Sequence, residues 1–139
     1  MKSEKLKGKT ILDKRNDALL NHDHIRKAII WEPRGHSNMY GAILVEPDSP
    51  EADLGVIFMH NEGYSTGCGH AVIALTKVLI EMNLVQIIEP ETKVKMDVPS
   101  GYIKSFAKIP IGLFSDVCDS DDKYKRFLYP SSFLTRKLI

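Results

Sequence analysis

Between Thr10 and about Ile30 the apolar residues Ile11, Leu12, Ala18, Leu19, Ile25, Ala28 and Ile29 recur near helical spacing with charge between them. This pattern predicts an amphipathic helix. Thr10, followed three residues later by Asp13, has the form of an N-terminal capping pair and marks the helix start. Trp31-Glu32-Pro33-Arg34-Gly35-His36 holds a proline and a glycine, so the chain leaves the helix there in a polar loop. Met39–Val45 and Gly55–Met59 are short runs of β-formers on either side of the turn segment Pro47-Asp48-Ser49-Pro50, and they read as two strands. His60–Gly69 carries three glycines and leads into an apolar run reaching Leu84, which reads as loop and helix. Val94-Lys95-Met96-Asp97-Val98 alternates with period two and stops at Pro99-Ser100-Gly101, as a half-exposed strand does. The predicted order is α-β-β-α-β, an α/β (α+β) arrangement. Past Lys108 the periodicity fails, so residues 6–108 read as one domain and 109–139 as a divergent tail. No internal repeat is visible, which argues against solenoids.

Composition narrows the function classes. The chain has 139 residues, 43% of them hydrophobic and 27% charged, enough for one core. Nineteen basic and eighteen acidic residues give a net charge of +1, so no global field draws the protein to nucleic acid or an anionic membrane. The longest apolar stretch, Ala71–Leu75, is ended by Thr76 and Lys77, far short of the roughly 20 residues of a membrane span. The charged N-terminal segment Met1–Lys7 is followed by no apolar h-region, and a cytoplasmic location is expected. Cys68 and Cys118 sit in unlike settings and read as free thiols.

The chemistry concentrates in His60-Asn61-Glu62-Gly63-Tyr64-Ser65-Thr66-Gly67-Cys68-Gly69-His70, which places a cysteine at a predicted helix N-terminus. Unpaired N–H groups and the positive end of the helix dipole favour the thiolate. The amides of Gly69, His70 and Ala71 form an anion site suited to a carboxylate, and the flanking glycines admit a small ligand to the backbone. A thiolate beside bound carboxylate is placed to remove the α-proton, with the amides stabilising the developing enolate. By composition alone the competing reading, a small buried filler among glycines, carries more weight.

Other candidates are weaker. His22 and His24 stand two apart, which a helix sends to different faces, and neither they nor His36, His60 and His70 complete a metal spacing; no metal and no cofactor are expected. Glu32, Arg34 and His36 suit surface pairing as well as catalysis. Glu62 either orients the Cys68 site or caps the loop. Gly63, Gly67 and Gly69 match neither the dinucleotide pattern nor the lysine-containing P-loop.

Lys7-Gly8-Lys9-Thr10, His22-Asp23-His24-Ile25-Arg26-Lys27-Ala28, Glu32-Pro33-Arg34-Gly35-His36, Met39-Tyr40-Gly41-Ala42, Met59–Thr66 and Cys68-Gly69-His70-Ala71 together resemble the proline racemase family. Within it they look most like the trans-3-hydroxy-L-proline dehydratases. The resemblance runs from about Leu6 to Lys108, with its motifs in family order. It implies a diaminopimelate-epimerase-like fold of two similar α/β halves, of which this chain matches part of the N-terminal lobe. It implies a cofactor-independent hydro-lyase: Cys68 takes the Cα proton, Gly69 and His70 bind the imino acid, and the 3-hydroxyl leaves as water to give a pyrroline-2-carboxylate.

The departures set further expectations. The family's opening strand with its Thr-Gly-Gly-Glu-Pro-type segment, and its second half with the residue opposite the first cysteine, are not found in this sequence. Cys118 lacks the glycine-rich surroundings of that second motif, and Gly67 stands where methionine is usual. An exposed lobe face predicts self-association, with a homodimer among the outcomes, or a poorly behaved monomer; size-exclusion chromatography showing a compact monomer counts against this. Proline racemase or hydroxyproline 2-epimerase activity, and a truncated family member without turnover, stay open beside the dehydratase reading.

Overall fold

Thr10 caps the first helix as its spacing predicts. Its hydroxyl accepts the Asp13 N–H at 3.1 Å, and the Asp13 carboxylate accepts the Thr10 N–H at 3.1 Å. The structure, a computed structural model, describes residues 6–109; the remainder of the tail, with Cys118, lies outside the described residues. In chain order the elements are α1 (Ile11–Asn21), α2 (Asp23–Ile30), β1 (Tyr40–Val45), β2 (Leu54–His60), β3 (Gly63–Ser65), α3 (Gly69–Glu81), β4 (Glu91–Val98) and β5 (Gly101–Lys108).

Three differences from the predicted order have physical causes. The one helix expected over Thr10–Ile30 is two, broken at His22, whose φ of −128° and ψ of 11° leave the helical range. The buried positions explain the break. Ile11, Lys14 and Ala18 face inward from α1, and the same spacing continued would turn Ile25 and Ile29 inward. Instead α2 buries Arg26 and Ile30, one position later, and leaves Ile25 exposed. β3 is a strand of three residues, too short for a visible alternation. β5 was not expected because its alternation is interrupted by a polar residue, Ser105, that is fully buried.

The described chain divides into two compact units. Among the described residues the first takes in Leu6–Ala71 together with Lys95–Ile103. Here β1 pairs antiparallel with β2 from Tyr40↔His60 to Val45↔Gly55, and β3 folds back on β2 from Phe58↔Ser65 to His60↔Gly63. β4 lies parallel to β2 at Leu54↔Met96 and Gly55↔Asp97, within a strand order of β1-β2-β4-β5. With neighbours on both edges, β2 is buried from Leu54 to Met59, so it reads as a continuous apolar run. Ile57 and Met59 pack with Ile11, Ala18, Ile30 and Tyr64, fastening the helices to the strands. Gly55 permits that approach: a Cβ there would stand 2.5 Å from Ile11 Cδ1 and 2.9 Å from Val45 Cγ2.

Hydrogen bonds at buried polar groups pin the β1–β2 connection. Asp97 accepts the N–H groups of Asp48 and Ser49 at 2.9 and 2.7 Å. Asp48 accepts the N–H of Ile11 at 2.6 Å, and Lys14 Nζ donates to Glu46 O at 2.7 Å and to Asp48 at 3.3 Å. Each charge taken from water therefore has partners, which is what makes its burial tolerable.

Among the described residues the second unit takes in Val72–Val94 and Lys104–Ile109. Ile80, Ala107 and Ile109 form its core, with Val85 and Ile87 against them. Thr76 Oγ1 donates to Val72 O at 2.7 Å and lies 2.6 Å from Ser105 Oγ, so the polar residue that hides β5 in the sequence has its partner inside. Among the described residues no helix is long and apolar enough to cross a membrane.

Candidate active site

Cys68 is a free, half-buried thiol immediately before the first residue of α3. Gly69 and His70 open that helix and are exposed, and the leading N–H groups of a helix have no partner within it. The structure thus sets Cys68, Gly69 and His70 where the sequence places them, with the thiol beside the first amides of a helix. Such an arrangement can hold an anion and present a sulfur to it. Gly67, ahead of the thiol, faces Ser100: a Cβ at Gly67 would stand 3.2 Å from Ser100 Oγ, and Ser100 N–H donates to Thr66 O at 3.0 Å.

The chain leading to Cys68 is held mainly at the β2–β3 turn. Arg26 Nη1 donates to His60 O at 2.7 Å and to Asn61 O at 2.6 Å. Trp31 Nε1 donates to the same Asn61 carbonyl at 2.9 Å, and Asn61 Nδ2 donates to His36 O at 3.0 Å. Farther along, Arg15 Nη2 donates to Tyr64 O at 2.5 Å, and the Tyr64 hydroxyl donates to Ala18 O at 3.4 Å. Burial pushes the Tyr64 phenol above its ordinary pKa.

Arg26 is in turn held by Asp23. Arg26 Nε and Nη2 donate to the two Asp23 carboxylate oxygens at 2.6 and 3.1 Å. These bonds, joined by Lys27 Nζ at 3.1 Å, bring the Asp23 carboxyl down to about 2 from the ordinary 3.8, against the opposing effect of desolvation. The same pair raises Arg26.

The remaining sequence candidates fall into supporting places. His60 Nδ1 accepts the Glu62 N–H at 3.2 Å, so these two residues cap their own turn, and the Tyr40 and His60 rings lie 5.4 Å apart. His36 Nδ1 accepts the Asn38 N–H at 3.2 Å, and His22 Nε2 lies 3.4 Å from Asp17. Among the described residues no group of three or more His, Cys, Asp or Glu is placed to hold a metal ion. Sequence reasoning missed Arg26, Trp31 and Asn61 as supports of the thiol loop. The available signal was Asp23 and Arg26 at i,i+3 on one helix face, which identifies a pair and not what the arginine's third nitrogen holds.

The comparisons bear on the family and the fold. A family model described as proline racemase matches residues 3–118. A trans-3-hydroxy-L-proline dehydratase of Azospirillum brasilense is 54% identical over 101 residues, covering 73% of this chain and 30% of that protein. A 3-hydroxyproline 2-epimerase of Burkholderia multivorans is 51% identical over 104 residues, covering 75% and 31%. The crystal structure of a hydroxyproline epimerase from Agrobacterium vitis superposes with a TM-score of 0.73 at 24% identity, over 78% of this chain and 32% of that one, and shows the fold the resemblance implied. The chain spans about 30% of the length of the curated relatives it matches. From the match over most of its length and the shared fold, this chain belongs to the proline racemase family.

Proposed function

We propose that this chain carries the thiol side of a site that dehydrates trans-3-hydroxy-L-proline, a hydro-lyase reaction. In this reading the Cys68 thiolate takes the Cα proton while the N–H groups of Gly69 and His70 hold the carboxylate and stabilise charge developing on it. The electron pair released from the C–H bond forms a carbon–carbon double bond as the 3-hydroxyl leaves as water, taking its proton from the Cys68 thiol, which returns to the thiolate. The resulting enamine tautomerises to pyrroline-2-carboxylate. The observation that supports the reading best is the position of Cys68 directly before α3, on a loop anchored at Asn61 and Thr66. The name of the Azospirillum relative supplies the substrate class. A small imino acid is the ligand, a reducing compartment such as the cytoplasm suits the free thiol, and a homodimer is the assembly that the apolar surface favours.

A second reading, epimerisation at Cα, rests on the Burkholderia multivorans relative named an epimerase at 51% identity. It needs an acid on the opposite face of Cα to return the proton.

Proton NMR of the purified chain with trans-3-hydroxy-L-proline in D2O, beside Cys68→Ser, separates the two. Disappearance of substrate signals, slowed by about 100-fold or more in the variant, is the expected result. Deuterium entering Cα with the hydroxyl retained favours the epimerase, and unchanged substrate with folded protein rejects turnover by this chain.

A further inference from the structure

We infer that Arg26 is a positioning residue for the thiol loop, setting the reactivity of Cys68 through the β2–β3 turn; this deepens the reading of Cys68 as the reacting group and rests on it. Arg26 is 4% exposed, yet a helix can be fastened to a strand by apolar side chains without the cost of burying a charge. What a guanidinium adds is a planar fork with fixed donor directions. Here all three nitrogens are engaged. Nε and Nη2 engage Asp23, and Nη1 bridges the consecutive carbonyls of His60 and Asn61. Trp31 Nε1 reaches the same Asn61 carbonyl, and the Arg26 guanidinium carbon lies 5.8 Å from the Trp31 ring and 5.9 Å from the Tyr64 ring. Three donor contacts from α2 and its C-terminal flank therefore converge on two carbonyls of one turn.

The other ties of that turn are Asn61 Nδ2 on His36 O, the Glu62 N–H on His60 Nδ1 and the pairing of His60 with Gly63, none of which brings a charge to its carbonyls. Gly63 adopts a φ of +155° with nothing within 4 Å of where a Cβ would stand, and β3 has three residues, fewer than a strand needs to hold its own register. Beyond β3, Ser100 N–H on Thr66 O is the next main-chain tether before Cys68. A rotation of the His60–Asn61 turn is thus passed along β3 to the thiol.

The test reads Cys68 without requiring turnover. Alkylation by iodoacetamide, followed by peptide-resolved mass spectrometry that separates Cys68 from Cys118, is measured against pH for the parent chain, Arg26→Met, Arg26→Lys and Lys14→Met. Near-UV circular dichroism fixes a temperature at which each is folded. Lys14 is the control, a buried cation of α1 tied to Glu46 and Asp48 away from the thiol loop. Arg26→Met is expected to change the Cys68 rate by about five-fold or more and to move its pH profile, the scale of a lost charge-assisted hydrogen bond. Arg26→Lys recovers part of the change, and Lys14→Met lowers stability while leaving the profile in place. If Arg26→Met does not fold, Trp31→Phe, at an exposed residue, removes one donor to Asn61 and is expected to shift the profile in the same direction by less. Superimposable profiles for parent and Arg26→Met (or for parent and Trp31→Phe, where that variant stands in), or an equal shift in Lys14→Met, overturn the inference. A moved profile in a chain that consumes no imino acid leaves the positioning role standing and rejects the reaction; turnover with an unmoved profile does the reverse.

Discussion

Asp23 is what permits Arg26 to be buried, and the pair has a sign that can be measured. The folded-state carboxyl titrates near 2, below the ordinary 3.8, so the pairing stabilises the fold above about pH 4 and the contribution is lost as pH falls through about 2. Asp23→Asn leaves the guanidinium without its counter-charge and is expected to cost about 2 kcal/mol at neutral pH. Urea denaturation of parent and variant at about pH 7, 4 and 2.5 checks this, because the difference should shrink across the acid range. A difference that stays constant down to the lowest pH rejects the pair as its origin. At this scale the place of Cys68, Gly69 and His70 at the start of a helix was legible in the sequence, because glycines ahead of an apolar run are a local signal. Arg26 was not, since its partners lie about 35 positions away and are main-chain carbonyls, which no residue type announces.

Elements were legible where their cause is local. The capping box of Thr10 and Asp13 is such a case, and so are β1, β2 and the helix following Cys68. The break at His22 was hidden because apolar residues continue at helical spacing through it; the decision between Ile25 and Arg26 as the inward residue is made by the carbonyls of the β2–β3 turn. β3 exists because β2 offers it an edge, and no property of Gly63-Tyr64-Ser65 alone requires a strand. β5 escaped because Ser105 breaks the alternation, and its hydroxyl is accommodated by Thr76, a residue that itself seemed to end an apolar run. α3 closes at Glu81, short of the run's end at Leu84, with Asn83 taking a φ of +53° just beyond it.

For the whole molecule, family membership was readable from several motifs in order, which no single element could have established. The self-association expectation belongs here too. Leu20 is 79% exposed in the first unit and Met82 62% exposed in the second, beside other exposed apolar residues in each. Apolar surface of this kind favours association, so sedimentation velocity over a range of concentrations is expected to show a rising mean mass, and a constant monomer mass rejects it. The parallel pairing of β2 with β4 carries a consequence in time. The β1–β2 pair closes over a connection of eight residues, whereas Leu54 meets Met96 only after β3, the thiol loop and α3 have been laid down between them. Ser100, the tether nearest the thiol, follows β4 and arrives with it. A refolding chain therefore completes the surroundings of Cys68 last, so millisecond pulses of alkylating reagent should find Cys68 acquiring its native reactivity in the slowest phase. Native reactivity appearing with the hairpin would reverse that order.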